Sequence, residues 1–154
     1  MKNLKFRLFF AAVLAVCMSA CDGCSSDSDS ELEGYIKADI ASFKNALDKE
    51  TDPQILDYRS AEDYSAGHIP GALNFDCTST GTASKWSSDN GELMTFLTSK
   101  FSTSKKIFLY GKSGWTVNGI GLPGRVANTW GKPNTINLET GFDAWKNAGY
   151  DVEY

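Results

Sequence analysis

The apolar run Ile107-Phe108-Leu109-Tyr110 constrains the fold of this chain more than any other feature. Four consecutive apolar residues, ended by Gly111, are typical of a strand that is buried on both faces. Such a strand needs neighbouring strands on both sides and helices over both faces of its sheet. The sequence therefore predicts a central strand here, with Gly111 at its carboxyl end.

Strand and helix patterns alternate along the rest of the chain from about residue 34 onward. Apolar residues at Ile36, Ile40, Phe43 and Leu47 recur at helical spacing and predict a helix over residues 36–47. A short helix is predicted between Ser60 and Gly67, with Ser60 as its cap, Asp63 in its first turn and Gly67 at its end. Three further helices are predicted over residues 91–101, Leu122–Trp130 and 142–148. The other predicted strands cover residues 54–58, 72–75 and Thr135–Leu138, with an extended piece at 151–154.

This alternation predicts an α/β domain with a mainly parallel central sheet of about five short strands and helices on both faces. Ligands bind such sheets beyond the carboxyl ends of the strands. The loop after the central strand is therefore the place where a site is expected. Its residues are Gly111, Lys112, Ser113, Gly114, Trp115, Thr116 and Val117.

The first 33 residues have a different character. A basic head followed by the apolar residues 8–18 and small residues predicts a signal peptide over residues 1–20. Met18-Ser19-Ala20-Cys21 resembles a bacterial lipobox, which implies a lipid on Cys21; an ordinary secreted protein cleaved nearby is the alternative. The polar residues 21–33 cannot bury a core and are expected to be a flexible tether for a domain over residues 34–154.

Charge and cysteine content exclude several classes of function. Loss of residues 1–20 removes three positive charges and takes the net charge from −4 to −7, which disfavours nucleic-acid binding. Cys21 and Cys24 form a Cys-x-x-Cys pattern, but a redox pair belongs at a helix start and not in a tether. Cys24 and Cys77 could pair in an oxidising compartment. One histidine and scattered cysteines give no zinc set, and no metal or cofactor is expected.

Three blocks of sequence resemble the rhodanese (sulfurtransferase) domain. They are Leu56-Asp57-Tyr58-Arg59-Ser60, then Gly67-His68-Ile69-Pro70-Gly71-Ala72, and then Leu138-Glu139-Thr140-Gly141-Phe142-Asp143-Ala144-Trp145 followed by Ala148-Gly149-Tyr150. Their order and spacing extend the resemblance over nearly all of residues 35–154. The resemblance implies the rhodanese-like fold and gives His68 the role of a turn residue that hydrogen-bonds the backbone. Asp57 and Arg59 lie at a strand end with one charge of each sign, and we expect them to support the site and not to act as catalytic residues.

The departures from that family fall in the loop after the central strand. The family's loop reads Cys-x-x-Gly-x-Arg-Ser, and its cysteine thiolate carries the sulfur. Gly111 stands in place of the cysteine, and Thr116-Val117 stand in place of Arg-Ser. The following segment is also a few residues longer. Sulfur transfer through residue 111 is therefore not expected, and neither is the phosphatase chemistry of relatives that need the same cysteine.

A binding role is the main functional expectation for this loop. Successive backbone N–H groups ahead of a helix can hold an anion, and Lys112, Ser113 and Trp115 add a charge, a hydroxyl and an aromatic surface. We therefore expect a small anion or a partner protein's acidic or aromatic side chain. A loop that only closes the domain is the alternative.

Cys77 is the remaining thiol that could support an enzymatic alternative, a sulfurtransferase with a relocated nucleophile. No cation flanks it in Phe75-Asp76-Cys77-Thr78 to lower the pKa of its thiol, which disfavours this role.

Residues 119–124 match G-x-G-x-x-G, the pattern of a dinucleotide-binding site, but they do not directly follow a strand and are read as a turn before a helix. The sequence thus predicts an exported, lipid-anchored domain facing the periplasm or cell exterior, with a binding role.

Overall fold

The structure, a computed structural model, describes residues 34–78, 91–112 and 121–154. Strands and helices alternate along these residues. In chain order they are β1 (Ile36–Ala38), α1 (Ile40–Leu47), β2 (Gln54–Asp57), α2 (Ala61–Ser65), β3 (Leu73–Asn74), α3 (Glu92–Lys100), β4 (Ile107–Tyr110), α4 (Leu122–Trp130), a 3₁₀ turn (Lys132–Asn134), β5 (Thr135–Leu138) and α5 (Gly141–Asn147).

The five strands form one parallel sheet in the order β1-β5-β4-β2-β3. The predicted central strand is confirmed, because β4 pairs with β2 on one side and with β5 on the other. All four residues of β4 are fully buried. The register places Tyr110 between Asp57 of β2 and Leu138 of β5, so three strands end side by side.

Two apolar layers cover the two faces of the sheet, because successive side chains of a strand point to opposite faces. Phe108 and Tyr110 of β4 belong to one layer and pack with residues of α1 and α5. Ile107 and Leu109 belong to the other layer and pack with residues of α3 and α4. This arrangement confirms the predicted α/β domain with helices on both faces.

The predicted helix over residues 36–47 is wrong in its first part. Ile36–Ala38 forms the edge strand β1, which pairs with β5, and α1 begins only at Ile40. The Asp39 carboxylate caps α1 by accepting a 2.7 Å hydrogen bond from the Ser42 N–H. Pairing with β5 satisfies the backbone groups on one side of β1, and this tertiary contact overrides the helical spacing of Ile36.

The other predicted elements are found with ends that differ by at most two residues. Ser60 caps α2, since its Oγ accepts a 3.1 Å hydrogen bond from the Asp63 N–H. The extended carboxyl-terminal piece pairs with the turn after α2 through an isolated antiparallel bridge between His68 and Glu153. Within the described residues, no helix has the length and apolar character needed to span a bilayer.

Candidate functional site

The candidate site lies at the carboxyl edge of the sheet, where β2, β4 and β5 end together. Tyr58 follows β2, Gly111 follows β4 and Glu139 follows β5. The Tyr58 N–H donates a 3.1 Å hydrogen bond to the Tyr110 carbonyl, so the chain stays paired for one residue beyond β2. Parallel pairing therefore brings these three residues to one edge.

Asp57 and Arg59 form a buried ion pair below this edge. The Asp57 side chain has no exposed surface and that of Arg59 is 5% exposed. Arg59 Nη2 lies 2.6 Å from Asp57 Oδ2, and Arg59 Nε lies within 3.0 Å of both carboxylate oxygens. The Arg59 N–H also donates to Asp57 Oδ1 at 2.8 Å. The charge of each buried group is therefore balanced by the other.

The Arg59 guanidinium also holds neighbouring segments together. Its Nη2 donates a 2.7 Å hydrogen bond to the Gly67 carbonyl, and its planar group lies over the rings of Phe142 and Tyr110. Through Asp57, Gly67 and Phe142, Arg59 contacts all three of the sequence blocks described above. Its role in the structure is to link them. Its charge is turned towards Asp57 and two aromatic faces.

His68 sits in the turn that follows α2. Its ring stacks on Tyr64 with centroids 3.8 Å apart, and its Nδ1 lies 3.1 Å from the Tyr64 carbonyl oxygen. Its Nε2 lies 3.7 Å from Glu153 Oε2. The backbone groups of His68 and Glu153 exchange two hydrogen bonds of 2.9 Å. These contacts tie the turn to the carboxyl-terminal segment.

Gly111 is buried, and the space beside its Cα is filled by the ring of Tyr58. A Cβ atom placed on Gly111 would lie 2.9 Å from Tyr58 Cζ and 3.1 Å from Tyr58 Oη, and nearer still to Cε2. Real Cβ atoms essentially never approach a heavy atom within 3.0 Å. The Gly111 carbonyl in turn accepts a 2.8 Å hydrogen bond from the Phe142 N–H.

A chain of two hydrogen bonds, from Tyr58 to the partly buried Glu139, fixes the end of the Tyr58 ring. Its hydroxyl donates a 3.2 Å hydrogen bond to Asn137 Oδ1, and Asn137 Nδ2 donates to Glu139 Oε1 at 2.8 Å. Burial raises the pKa of Tyr58 far above its ordinary value, and the nearby negative charge of Glu139 adds to the increase. The phenol is therefore neutral at physiological pH.

Lys112 is the second residue of the predicted binding loop and points away from the core. Its side chain is 65% exposed, and its Nζ lies 3.5 Å from Asp63 Oδ1. The described part of the loop thus offers one cation, partly offset by a carboxylate. The remaining predicted loop residues, Ser113, Gly114, Trp115, Thr116 and Val117, lie outside the described residues.

Cys77, the alternative nucleophile, is buried in the apolar layer next to α3 and α4. Its Sγ lies 3.4 Å from the Phe75 carbonyl oxygen. Burial raises the pKa of its thiol to about 12, and the charge of Asp76 adds to the increase. A thiol in this setting stays protonated, whereas sulfur transfer needs the thiolate.

Two further predictions concern metals and the amino-terminal cysteines. Within residues 34–78, 91–112 and 121–154, no group of three or more histidine, cysteine and acidic side chains could hold a metal ion. Cys21 and Cys24 lie outside the described residues, as do the whole predicted signal peptide and tether. Lipidation of Cys21 therefore remains a prediction, and a Cys24–Cys77 disulfide remains an open alternative.

The contact between Tyr58 and Gly111 is the feature that the sequence analysis missed. The two residues stand in separate blocks of the chain, more than 50 positions apart. The sequence does carry one signal for this contact. Tyr58, an aromatic residue, stands between Asp57 and Arg59 in a chain that has glycine at residue 111. The network through Asn137 and Glu139 was not predicted either.

Comparison with protein families gives one match, to the Rhodanese-like domain, over residues 39–148. No functionally curated protein matches the sequence. Several solved structures have the same fold. The solution structure of the rhodanese-like domain from an Anabaena sp. protein is 23% identical with a TM-score of 0.55, and the match covers 76% of this chain and 77% of that one.

Two further structures come from a bacterium and a yeast. An uncharacterised protein from Saccharomyces cerevisiae is 20% identical with a TM-score of 0.54, over 75% of this chain and 93% of that one. A protein from Bacillus halodurans is 20% identical with a TM-score of 0.52, over 77% of this chain and 76% of that one. At these identities the likeness shows the fold.

Proposed function

Because the chain belongs to the rhodanese-like domain family, we propose that it is a non-catalytic member of that family with a binding role at the bacterial cell envelope. The observation that carries this proposal is the buried Gly111 at the end of β4. A thiolate at this position would attack a sulfane sulfur and hold it as a persulfide. Glycine offers no atom that can do either.

Cys77 supports a second candidate function, a sulfurtransferase that uses a relocated thiol. The 5% exposure of its residue and the pKa of about 12 weigh against this candidate. Near pH 7 such a thiol is almost entirely protonated. An anionic sulfur donor would also have to enter an apolar layer, which is costly without a compensating charge.

The ligand of the binding role is a small anion or a protein partner with acidic or aromatic side chains. Exposed Lys112 at the loop start supports contact with an acidic group, since its side chain is 65% exposed and its Nζ is only loosely paired with Asp63 Oδ1 at 3.5 Å.

The position at the envelope depends on the amino-terminal sequence. We propose that Cys21 carries a lipid and that residues 21–33 act as a tether between membrane and domain. Detergent phase partitioning of the full chain expressed in bacteria tests this part. The protein is expected in the detergent phase and its Cys21→Ser variant in the aqueous phase; equal partitioning of the two would contradict a lipid on Cys21.

A thiosulfate:cyanide assay on the domain tests the absence of catalysis. The proposal predicts turnover equal to that of a buffer blank, for both the unaltered domain and Cys77→Ser. Turnover that Cys77→Ser abolishes would establish the sulfurtransferase candidate instead. A catalytically active rhodanese assayed in parallel serves as the positive control for the reagents.

Calorimetric titration separates the two ligand classes. Sulfate, thiosulfate and phosphate are titrated into the domain and into Lys112→Gln at millimolar concentration. Heat that falls in the variant would identify an anion site at the loop. Absence of heat with all three would leave the protein partner as the proposed ligand.

A further inference from the structure

The space that a side chain at residue 111 would need is occupied from across the sheet edge. The tip of the Tyr58 ring lies there, with Cζ 2.9 Å and Oη 3.1 Å from an ideal Cβ on Gly111. These atoms belong to a rigid ring and not to the end of a flexible chain. Any residue other than glycine at position 111 therefore requires the ring to move.

The ring has little freedom to move. Tyr58 is 4% exposed and packs in the apolar layer that contains Leu56 and Leu109. Its hydroxyl is held by Asn137 at 3.2 Å. Displacement would break this hydrogen bond and disturb a close-packed layer, and both changes are unfavourable.

The charges around the ring also disfavour an incoming anion. The Tyr58 hydroxyl hydrogen is directed at Asn137 Oδ1, so the remaining hydroxyl lone pairs face any further ligand. The Glu139 carboxylate lies one hydrogen bond further along, accepting from Asn137 Nδ2. A sulfur donor such as thiosulfate, with two negative charges, would be repelled at this end of the ring.

We propose that Tyr58 is the residue that closes this site: its phenol ring takes the place of a sulfur-carrying side chain and keeps an anionic sulfur donor away from residue 111. This inference rests on the proposed non-catalytic function and adds a specific cause to it. The site is then altered at two contacting positions. Restoring a thiol at residue 111 alone does not restore sulfur transfer.

The reaction that the closed site excludes can be written in full. A thiolate introduced by Gly111→Cys would attack the outer sulfur of thiosulfate, forming a new S–S bond. The S–S bond of thiosulfate breaks, and sulfite leaves with its electron pair. The protein retains one additional sulfur as a persulfide anion, so atoms and charge balance without an added oxidant or reductant.

A set of matched variants tests the proposal, all in a Cys77→Ser background so that any gained sulfur is assigned to residue 111. Gly111→Cys is made with Tyr58 unchanged, with Tyr58→Phe and with Tyr58→Leu. Phenylalanine retains the Cε2 and Cζ atoms that meet the added Cβ, whereas leucine removes them and keeps much of the apolar packing. Tyr58→Phe is therefore the control for loss of the hydroxyl alone.

The first readout is the unfolding equilibrium constant from urea titration. Gly111→Cys is expected to raise this constant at least about tenfold more when residue 58 is tyrosine or phenylalanine than when it is leucine, because contacting residues are coupled. If Gly111→Cys does not yield a folded domain with Tyr58, recovery of folding by Tyr58→Leu is the expected result. Equal effects in all three backgrounds, or no recovery, would overturn the proposal.

The second readout is intact mass after incubation with thiosulfate. A gain of one sulfur is expected only for Gly111→Cys with Tyr58→Leu. The same gain with Tyr58 or Tyr58→Phe would overturn the proposal, as would no gain in the folded leucine variant. These outcomes do not depend on the turnover of the unaltered domain. The proposed closure of the site by Tyr58 and the proposed non-catalytic function can therefore fail separately.

Discussion

The guanidinium carbon of Arg59 lies 3.9 Å from the centroid of the Phe142 ring. This contact joins the segment after β2 to the first turn of α5. It brings two sequence blocks that are far apart in the chain into direct contact. Arg59 reaches the ring with one face of its guanidinium while its Nε–Nη2 edge pairs with Asp57, so one side chain satisfies a buried carboxylate and covers an aromatic surface.

Arg59→Met is expected to lower the free energy of unfolding by about 3–5 kcal/mol, because it leaves the fully buried Asp57 carboxylate without its partner. Urea titration measures the change. Lys112→Met is the matched control, since the Lys112 side chain is 65% exposed, and a change within about 0.5 kcal/mol is expected. Similar small losses for both variants would show that the buried pair contributes little.

Ser60→Ala is expected to destabilise the domain by about 1 kcal/mol, because the Ser60 hydroxyl caps α2 through the Asp63 N–H. Ser65→Ala provides a control within the same helix. The Ser65 hydroxyl donates to the Ala61 carbonyl on the exposed surface and caps no free N–H. Thermal unfolding should separate the two variants, and a Ser65 loss equal to that of Ser60 would contradict the capping role.

Tyr110→Phe is expected to cost about 1–3 kcal/mol, because the Tyr110 hydroxyl accepts a 3.0 Å hydrogen bond from the buried Ile69 N–H. Faster hydrogen exchange of the Ile69 amide should accompany this loss. Tyr154→Phe serves as the control, since Tyr154 is 81% exposed. An unchanged exchange rate at Ile69 would show that the hydroxyl does not protect this turn.

The stability of the domain is expected to fall as the pH rises above about 8.5, the ordinary pKa of a thiol. Burial raises the pKa of Cys77 to about 12 in the folded state, so the unfolded chain releases this proton first. Stability from this group is complete below the unfolded pKa and is lost as the pH rises towards the folded value. The slope approaches about 1.4 kcal/mol per pH unit.

Cys77→Ala should flatten this pH dependence, because it removes the titrating thiol. Urea titrations at pH 7.5 and 9.5, with a reductant present, provide the measurement. Burial also raises the pKa values of Tyr58 and Tyr110, but their ordinary values near 10 place their contribution at higher pH. Equal losses of stability in Cys77→Ala and the unaltered domain would contradict a buried, protonated thiol.

Much of the fold could be predicted from the sequence because its strands and helices carry strong local patterns. Ile107–Tyr110 is apolar throughout and lies at the centre of the sheet, and Leu122–Trp130 begins with Pro123 in its first turn. β1 could not be predicted in this way. It has three residues, and its pairing partner, β5, is at the other end of the chain.

The candidate site was harder to predict than the fold. The absent side chain at residue 111 is visible in the sequence, but the atoms that fill its place are not. Tyr58 reaches Gly111 only because β2 and β4 pair in register at Asp57 and Tyr110. A contact set by that register, and by an amide on a third strand, has no local sequence pattern.

Intact-mass measurement of the unaltered domain after incubation with thiosulfate tests the central claim most directly. Persulfide formation is the first step of sulfur transfer, so it registers chemistry even where turnover is slow. With Gly111 at the end of β4 and Cys77 buried, the account predicts an unchanged mass. A gain of one sulfur that is removed by reductant would contradict it.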